Sequence, residues 1–370
     1  MKSPFFIILV AGSLPLSCLF TYLVRQYAIK QRILDIPNER SSHSIVTPRG
    51  GGLAIVATFV LAVVFIAILG LISINAAIAL VGGGLLIAAV GWADDKKSVS
   101  PPWRLAVHFL AAFWALYWLG GFTQMELGFT TIQLGWAGSV IAAVGIVWLI
   151  NLYNFMDGID GIAGTEAICV ALGAGVLLFW GGSTGLAWVC LILAMAVGGF
   201  LVWNWSPAKI FMGDVGSGFL GFTFAVLALW SENAGAVPFI IWLLLLGVFI
   251  IDATITLIKR MSKGEKLYEA HRSHVYQLAV QAGYSHKQVT LTVLLINIIL
   301  GIIAAMALYY YNYLGVIASA ALIILIIAHL IIGKMFNIRI SQVSSSGGKI
   351  LGKSVEEAAA VIDVVDHTTE

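Results

Sequence analysis

The chain is poor in charge. Of its 370 residues only 10% are Asp, Glu, Lys or Arg, against about 25% in soluble domains, which excludes an ordinary water-soluble globule. Cysteine is scarce as well: Cys18, Cys169 and Cys190 lie in apolar sequence with no CxxC spacing, which argues against a disulfide framework or a zinc site. They read as small packing residues. No polybasic run of the kind that binds nucleic acid is present, and no nucleic-acid partner is expected. Internal repeats are missing too.

What the chain has is apolar sequence, 60% of the whole, with a mean hydropathy of +0.99. Runs near the ~20 residues that cross a bilayer lie at 4–24, 51–72, 76–93, 103–120, 136–151, 161–180, 185–203, 216–231, 236–258, 288–310 and 313–333. They predict an all-α integral membrane protein of about 11 transmembrane helices. Two of the runs, 136–151 and 216–231, are short for a full crossing.

Lysine and arginine orient the spans. With the N-terminus outside and the C-terminus cytoplasmic, the inside segments are 25–50, 94–103, 151–160, 204–215, 259–287 and the tail from 334. Those segments and their flanks then hold every basic residue except Lys2, which is the positive-inside pattern. The first span reads as a retained anchor, because positive charge is weaker before it (Lys2) than after it (Arg25, Lys30, Arg32). A multi-pass domain over 1–338 and a flexible cytoplasmic tail over 339–370 are expected. Within the tail, 344–348 reads as a linker and 355–365 as a short amphipathic helix.

On this topology Asp94, Asp95, Asp157, Asp160 and Asp214 all fall on inside loops or inner helix ends. Each motif alone is ordinary: an Asp-Asp pair ends a helix, and Asp-Gly-x-Asp-Gly makes a turn. Their joint presence on one face is not ordinary. Carboxylates clustered without paired Lys or Arg repel one another unless a cation or protons intervene. Oxygen-only ligands suit Mg2+ or Mn2+ rather than zinc. Gly213-Asp214-Val215-Gly216-Ser217 lacks a preceding parallel strand, so it reads as a turn opening a helix, where free N–H groups favour phosphate. The loop from Asp35 to Gly52 places His43 and Arg49 beside a triple glycine, a setting suited to a diphosphate. His271 and His274 are three residues apart in a basic loop and can supply a proton or a cation. Asp252, inside an apolar span, needs a polar partner, for which Lys259 or Arg260 is the nearest choice.

Together, Thr47-Pro48-Arg49-Gly50-Gly51, Asp94-Asp95, Asn151-x-x-Asn154-x-x-Asp157-Gly-x-Asp160-Gly161, Phe211-Met-Gly-Asp214-x-Gly-Ser217 and the histidine loop resemble the polyprenyl-phosphate N-acetylhexosamine-1-phosphate transferases, the glycosyltransferase 4 type. That resemblance implies a metal-binding role for Asp214 and an Asp94–Asp95 pair acting on the lipid phosphate or supporting the metal. It implies nucleotide contacts from Asn154 and Asp157, uracil stacking on Phe211 and a diphosphate contact from Arg104. Asp160, His271 and His274 become further catalytic positions.

The expected reaction joins a UDP-N-acetylamino sugar to undecaprenyl phosphate with release of UMP, using Mg2+ (or Mn2+), at the cytoplasmic side of a bacterial inner membrane. A homodimer is compatible with it. The run His271-Arg272-Ser273-His274 departs from the consecutive histidines of the peptidoglycan phospho-MurNAc-pentapeptide translocase, the alternative within the family, and favours initiation of O-antigen or a related surface glycan. A secondary transporter and a scaffold for polysaccharide assembly are the rival classes. Midplane carboxylates would suit the transporter, whereas these lie at the inner ends.

Overall fold

The computed structural model describes residues 3–37, 45–265 and 271–366. Its helices are α1 (Ser3–Gln31), α2 (Gly52–Ile68), α3 (Ile74–Lys96), α4 (Pro101–Leu119), α5 (Gly135–Phe155), α6 (Ile162–Trp180), α7 (Thr184–Asn204), α8 (Asp214–Asn233), α9 (Phe239–Leu245), α10 (Gly247–Ser262), α11 (Val275–Gln281), α12 (His286–Tyr309) and α13 (Leu314–Asp366). Two short antiparallel pairs, β1 (Leu34–Asp35) with β2 (Thr47–Pro48) and β3 (Gln124–Glu126) with β4 (Thr131–Gln133), and a 3-10 turn at Tyr311–Tyr313 complete the described elements.

Local chemistry sets several of these boundaries. The Ser73 hydroxyl accepts the Ala76 N–H at 3.2 Å and opens α3. Pro101 and Pro102 open α4, where a missing N–H costs nothing. Ser285 and Gln288 form a capping box at the start of α12.

Every expected span coincides with a helix, or, for 236–258, with the pair α9–α10, which bends by 78°. Among the described residues eight helices are long and apolar enough to cross a membrane, or nine if the bent pair is one span. The expected count of about 11 is therefore not reached on these criteria. The helix α2 has 17 residues, and α4 carries Pro101, Pro102, Arg104 and His108 in its first half. The two runs thought short are full helices: α5 has 21 residues and α8 has 20. Polar and small residues had broken the apolar pattern of α8, but 89% of its most apolar window is buried, against 22% for α1. Helix α8 is thus the axis of the bundle, flanked by α3, α5 and α2, while α1, α7 and α6 pack in sequence to one side. The linker expected at 344–348 lies inside α13.

The charged helix ends are brought together by backbone pairing. The Phe211 N–H donates to the Pro48 carbonyl at 2.8 Å, and the Gly51 and Gly52 N–H groups donate to Phe211 and Met212, each at 2.9 Å. This stitches the loop before α8 to the turn before α2. Gly91 on α3 lies where a Cβ would stand 2.5 Å from the Asp214 carbonyl oxygen, so α3 touches the first turn of α8 backbone to backbone.

Candidate active site

The first turn of α8 carries the centre of the site. Gly213 adopts φ +75°, and a Cβ there would stand 2.5 Å from Asp95 Oδ2. Glycine lets the Asp95 carboxylate reach the helix start. There Oδ1 accepts the Asp214 N–H at 3.0 Å and Oδ2 accepts the Val215 N–H at 3.2 Å. A carboxylate from α3 thereby caps α8, satisfying free donors and facing the positive end of the helix dipole. Arg49 completes its shell: Nε donates to Asp95 Oδ1 at 2.9 Å, and Nη2 forms a further short contact with the same oxygen. The Asp95 side chain is wholly buried.

Asp214 shares these cations. Arg49 Nη2 is 3.3 Å from its Oδ1, and Arg104 Nη1 is 3.1 Å from its Oδ2. The same Arg104 nitrogen lies 3.0 Å from Asp94 Oδ2 and so bridges two carboxylates, while Asp94 Oδ1 accepts the Val99 N–H at 2.6 Å. Asn154 Nδ2 donates to Asp214 Oδ2 at 3.3 Å, and the Ser217 hydroxyl donates to Asn154 Oδ1 at 2.9 Å. The sequence had suggested carboxylates without basic partners. The structure corrects this, because Arg49 and Arg104 arrive from a distant turn and from the next helix. Burial alone would lower the Arg49 guanidinium; Asp95 and Asp214 outweigh it and hold it charged, above its usual range.

Beside this network lies a cleft of about 300 Å³, lined by Asp157, Asp160, Asp214, Arg49, Asn154 and Phe211 among others. Burial, reinforced by the charges of Asp214 and Asp95, pushes the Asp157 carboxyl well above its ordinary range. Four carboxylates (Asp94, Asp95, Asp157, Asp214) thus stand with two guanidiniums, which leaves an excess of negative charge at this end of the bundle. Asp160 behaves oppositely. Burial would raise it, but the His286 imidazole, at 3.4 Å from Oδ1, and the Ala208 N–H, at 3.2 Å from Oδ2, hold it below the usual carboxylate range.

No group of three or more His, Cys, Asp or Glu side chains is arranged to hold a metal among the described residues. Magnesium does not need one, since it is commonly held by one or two carboxylates plus waters and substrate phosphates. The donor chemistry of Asp157 and Asp214, all oxygen and carrying surplus negative charge, fits such a hard cation.

The histidines stand elsewhere. Neither His271 nor His274 lines the cleft. The His274 ring is buried, with Nδ1 at 3.4 Å from Asp252 Oδ1, and it packs on His271 at 4.9 Å and on Tyr276 at 5.7 Å. Burial, with His274 and Arg260 nearby, lowers His271 to about 4, so it is neutral at pH 7. Asp252 takes His274 and the N–H groups of Val275 and Tyr276 as partners, at 3.0 and 3.3 Å, rather than Lys259 or Arg260. His43 lies outside the described residues.

Four cleft residues escaped the sequence reading: Asp35, Asn204, Gln277 and His286. Asn204 offered a signal, as a polar residue closing an apolar helix. It accepts the Gly161 N–H at 3.0 Å and donates to the Ile210 carbonyl at 3.0 Å, tying two site loops together. His286 offered little beyond its position at a helix start.

Residues 77–232 match the glycosyl transferase family 4. The family region contains Asp94, Asp95, Arg104, Asn154, Asp157, Asp160, Phe211 and Asp214, whereas Arg49 and His286 reach the cleft from outside it. The chain is 29% identical over 295 residues to a protein of Bacillus subtilis named probable undecaprenyl-phosphate N-acetylglucosaminyl 1-phosphate transferase, covering 77% of this chain and 80% of that one. It is 29% identical over 299 residues to the Yersinia pestis undecaprenyl-phosphate alpha-N-acetylglucosaminyl 1-phosphate transferase, covering 78% and 80% of the two chains. A Mycobacterium tuberculosis decaprenyl-phosphate N-acetylglucosaminephosphotransferase matches at 29% over 311 residues, 76% of each chain.

Proposed function

We propose that this protein transfers an N-acetylamino-sugar 1-phosphate from a UDP-sugar to undecaprenyl phosphate, releasing UMP and starting an O-antigen or related surface glycan. The observation that carries this reading is the single cleft in which Asp157, Asp214 and Arg49 meet at the ends of apolar helices, with Arg104 and Asp94 joined to the same network. A charged cleft at helix ends suits one substrate from water and one from the bilayer. The names of the relatives support the same class of acceptor and sugar.

In this reaction an oxygen of the lipid phosphate attacks the sugar-bearing phosphorus of the UDP-sugar, a new phosphoanhydride forms, and the old one breaks to release UMP. One anhydride replaces another, so catalysis is positioning and charge neutralisation. Arg49 and Arg104, already fixed by carboxylates, offer guanidinium N–H groups to diphosphate oxygens without reorganisation. Asp95 acts through others, holding Arg49 and the first turn of α8 in place. Asp94 orients the incoming phosphate; with a second pKa near ~6 that phosphate is largely ionised without a base. Phe211, in the cleft wall, offers a face for the uracil ring. Asp157 and Asp214 would hold magnesium or manganese, which would supply charge neutralisation to the diphosphate.

The intramembrane carboxylate that a transporter would use, Asp252, is satisfied by His274 and the start of α11. The deciding experiment is transfer of radiolabelled sugar from a panel of UDP-sugars into butanol-extractable lipid, with stoichiometric UMP release. The reading fails if the purified protein, given undecaprenyl phosphate and Mg2+, moves none of the sugars.

A further inference from the structure

A second cavity, of about 360 Å³, opens at the same end of the bundle between α1 and α3, lined by Tyr27, Gln31, Arg32, Ile33, Leu34, Asp95 and Lys96. It shares no lining residue with the cleft that holds Asp157 and Asp214. We propose that it binds the phosphate of an anionic glycerophospholipid headgroup, a lipid site distinct from the transfer cleft.

The cations come first. Arg32 and Lys96 both line the cavity, both are exposed, and neither has a carboxylate partner among the described residues. Asp95, in the wall, does not neutralise them, because its oxygens are enclosed by Arg49 and by the N–H groups of Asp214 and Val215. An anion placed here therefore meets two uncompensated positive charges.

The second argument is depth. The cavity sits where two apolar spans, Phe6–Gln31 and Ile74–Lys96, end, which is where lipid headgroups lie. Aromatic residues mark that level. Tyr27 is 44% exposed, and its ring packs at 6.2 Å from Trp92. The Lys96 ammonium lies 4.7 Å from the Trp92 ring and 5.9 Å from the Tyr27 ring. Such contacts hold the lysine head at the cavity mouth and keep it from dispersing into water. Arg32 is held as well: it is the one non-glycine residue at positive φ among those described, at +57°, with its N–H on the Ile29 carbonyl.

Separation from the cleft decides the kind of lipid. A phosphate held here is divided from the transfer cleft by Asp95 and Arg49, so the occupant is an accessory headgroup and not the reacting acceptor. The site nonetheless touches the machinery, because Trp92 also presses on Gly50, the neighbour of Arg49. The proposal is independent of which sugar is transferred, and of the transferase reading itself.

The test uses neighbouring lysines. Lys97, exposed and next in sequence, does not line the cavity. The full chain in detergent is titrated with phosphatidylglycerol, and bound lipid is counted by native mass spectrometry, for the wild type, Lys96→Gln, Arg32→Gln and Lys97→Gln. A cation near an anionic headgroup contributes about 1 kcal/mol, so each cavity substitution should weaken binding ~5-fold, and Lys97→Gln should leave it unchanged. Phosphatidylcholine, a zwitterion, should bind alike to all four proteins. Inorganic phosphate should not displace phosphatidylglycerol, since it lacks the chains that anchor the lipid beside α1; displacement would identify a soluble-phosphate site and overturn the lipid assignment. Equal losses for Lys96→Gln and Lys97→Gln, or no loss for either, would mean diffuse surface charge and overturn it as well. Tyr27→Leu guards against a folding artefact: it keeps both charges, removes one ring from Lys96, and should weaken binding less than Lys96→Gln.

Discussion

Two aspartates in this protein meet helix starts in the same manner, with different surroundings. Asp95, from α3, accepts the first N–H groups of α8 and is paired with Arg49; Asp252, from α10, accepts the first N–H groups of α11 and is paired with His274. In both cases a buried carboxylate caps a helix from another segment. At the first junction the capped turn itself carries Asp214, and the paired arginine also touches Asp214. At the second, the capped helix lends Gln277 to the cleft wall and braces the Asp157 loop through the Tyr276 hydroxyl, which donates to the Phe155 carbonyl at 2.9 Å and covers Gly158. One device fixes the reacting groups directly, and the other fixes the loop that carries one of them. Disturbing the first should cost turnover foremost, disturbing the second stability.

The sharpest contrast lies within the first junction. Asp214→Asn removes charge where Arg49, Arg104 and the proposed cation meet, and should lower turnover by ~10²–10³-fold or more, with little change in thermal midpoint. Chelation of divalent cations should do the same to the wild type, and Mg2+ should restore it. Turnover by Asp214→Asn within a few-fold of wild type, at saturating lipid and sugar nucleotide, would remove Asp214 from the reaction. Next comes Asp95→Asn, which keeps an oxygen for the helix cap and loses the charge that holds Arg49. Loss of such a supporting partner costs about 10–100-fold, and here the thermal midpoint should drop too.

Asp252→Asn provides the comparison. It leaves an acceptor oxygen for only one of the Val275 and Tyr276 N–H groups and weakens the tie to His274, at a cost of about 1–3 kcal/mol in stability. Turnover of the folded fraction should stay within ~10-fold, because Asp252 does not line the cleft and α11 gives it no carboxylate or guanidinium. A thermal midpoint equal to wild type together with a hundredfold rate loss would reverse the assigned roles and draw the histidine segment into the chemistry.

Some features of these junctions are legible in the sequence and others are not, for physical reasons. Asp94, Asp95, Asp157, Asp160 and Asp214 were legible as a group because carboxylates at several apolar helix ends are costly and point to a shared purpose. The helices around them were legible from apolar length, except at α8, where glycines serving close packing with α3 and α5 broke the pattern. Pairings were not legible. Which guanidinium reaches which carboxylate depends on how α2, α3, α4 and α8 meet, and no spacing encodes it. Asp252 was assigned to Lys259 or Arg260 on its own helix, yet its partners lie beyond the next loop, where α11 folds back with free N–H groups. His286 reaches the cleft only because α12 begins beside Asp160.

The smallest effect concerns His271, which the sequence offered as a proton donor or a cation. Its pKa of about 4 lies below the ordinary 6.5, chiefly because burial disfavours the charged ring. A base depressed in the folded state binds its proton in the unfolded chain first, so its neutral form stabilises fully above pH 6.5, and stability declines as pH falls toward 4. His271→Asn, which cannot take the proton, should lack that decline. Relative to wild type it should gain about a few tenths of a kcal/mol on acidification, the half-exposed ring being screened by solvent. Between those two pH values the rate profiles of wild type and His271→Asn should run parallel, because the imidazole is neutral throughout most of that range. A wild-type limb near pH 6.5 that disappears in His271→Asn would show a charged imidazole at work, and would make the second junction a partner in transfer.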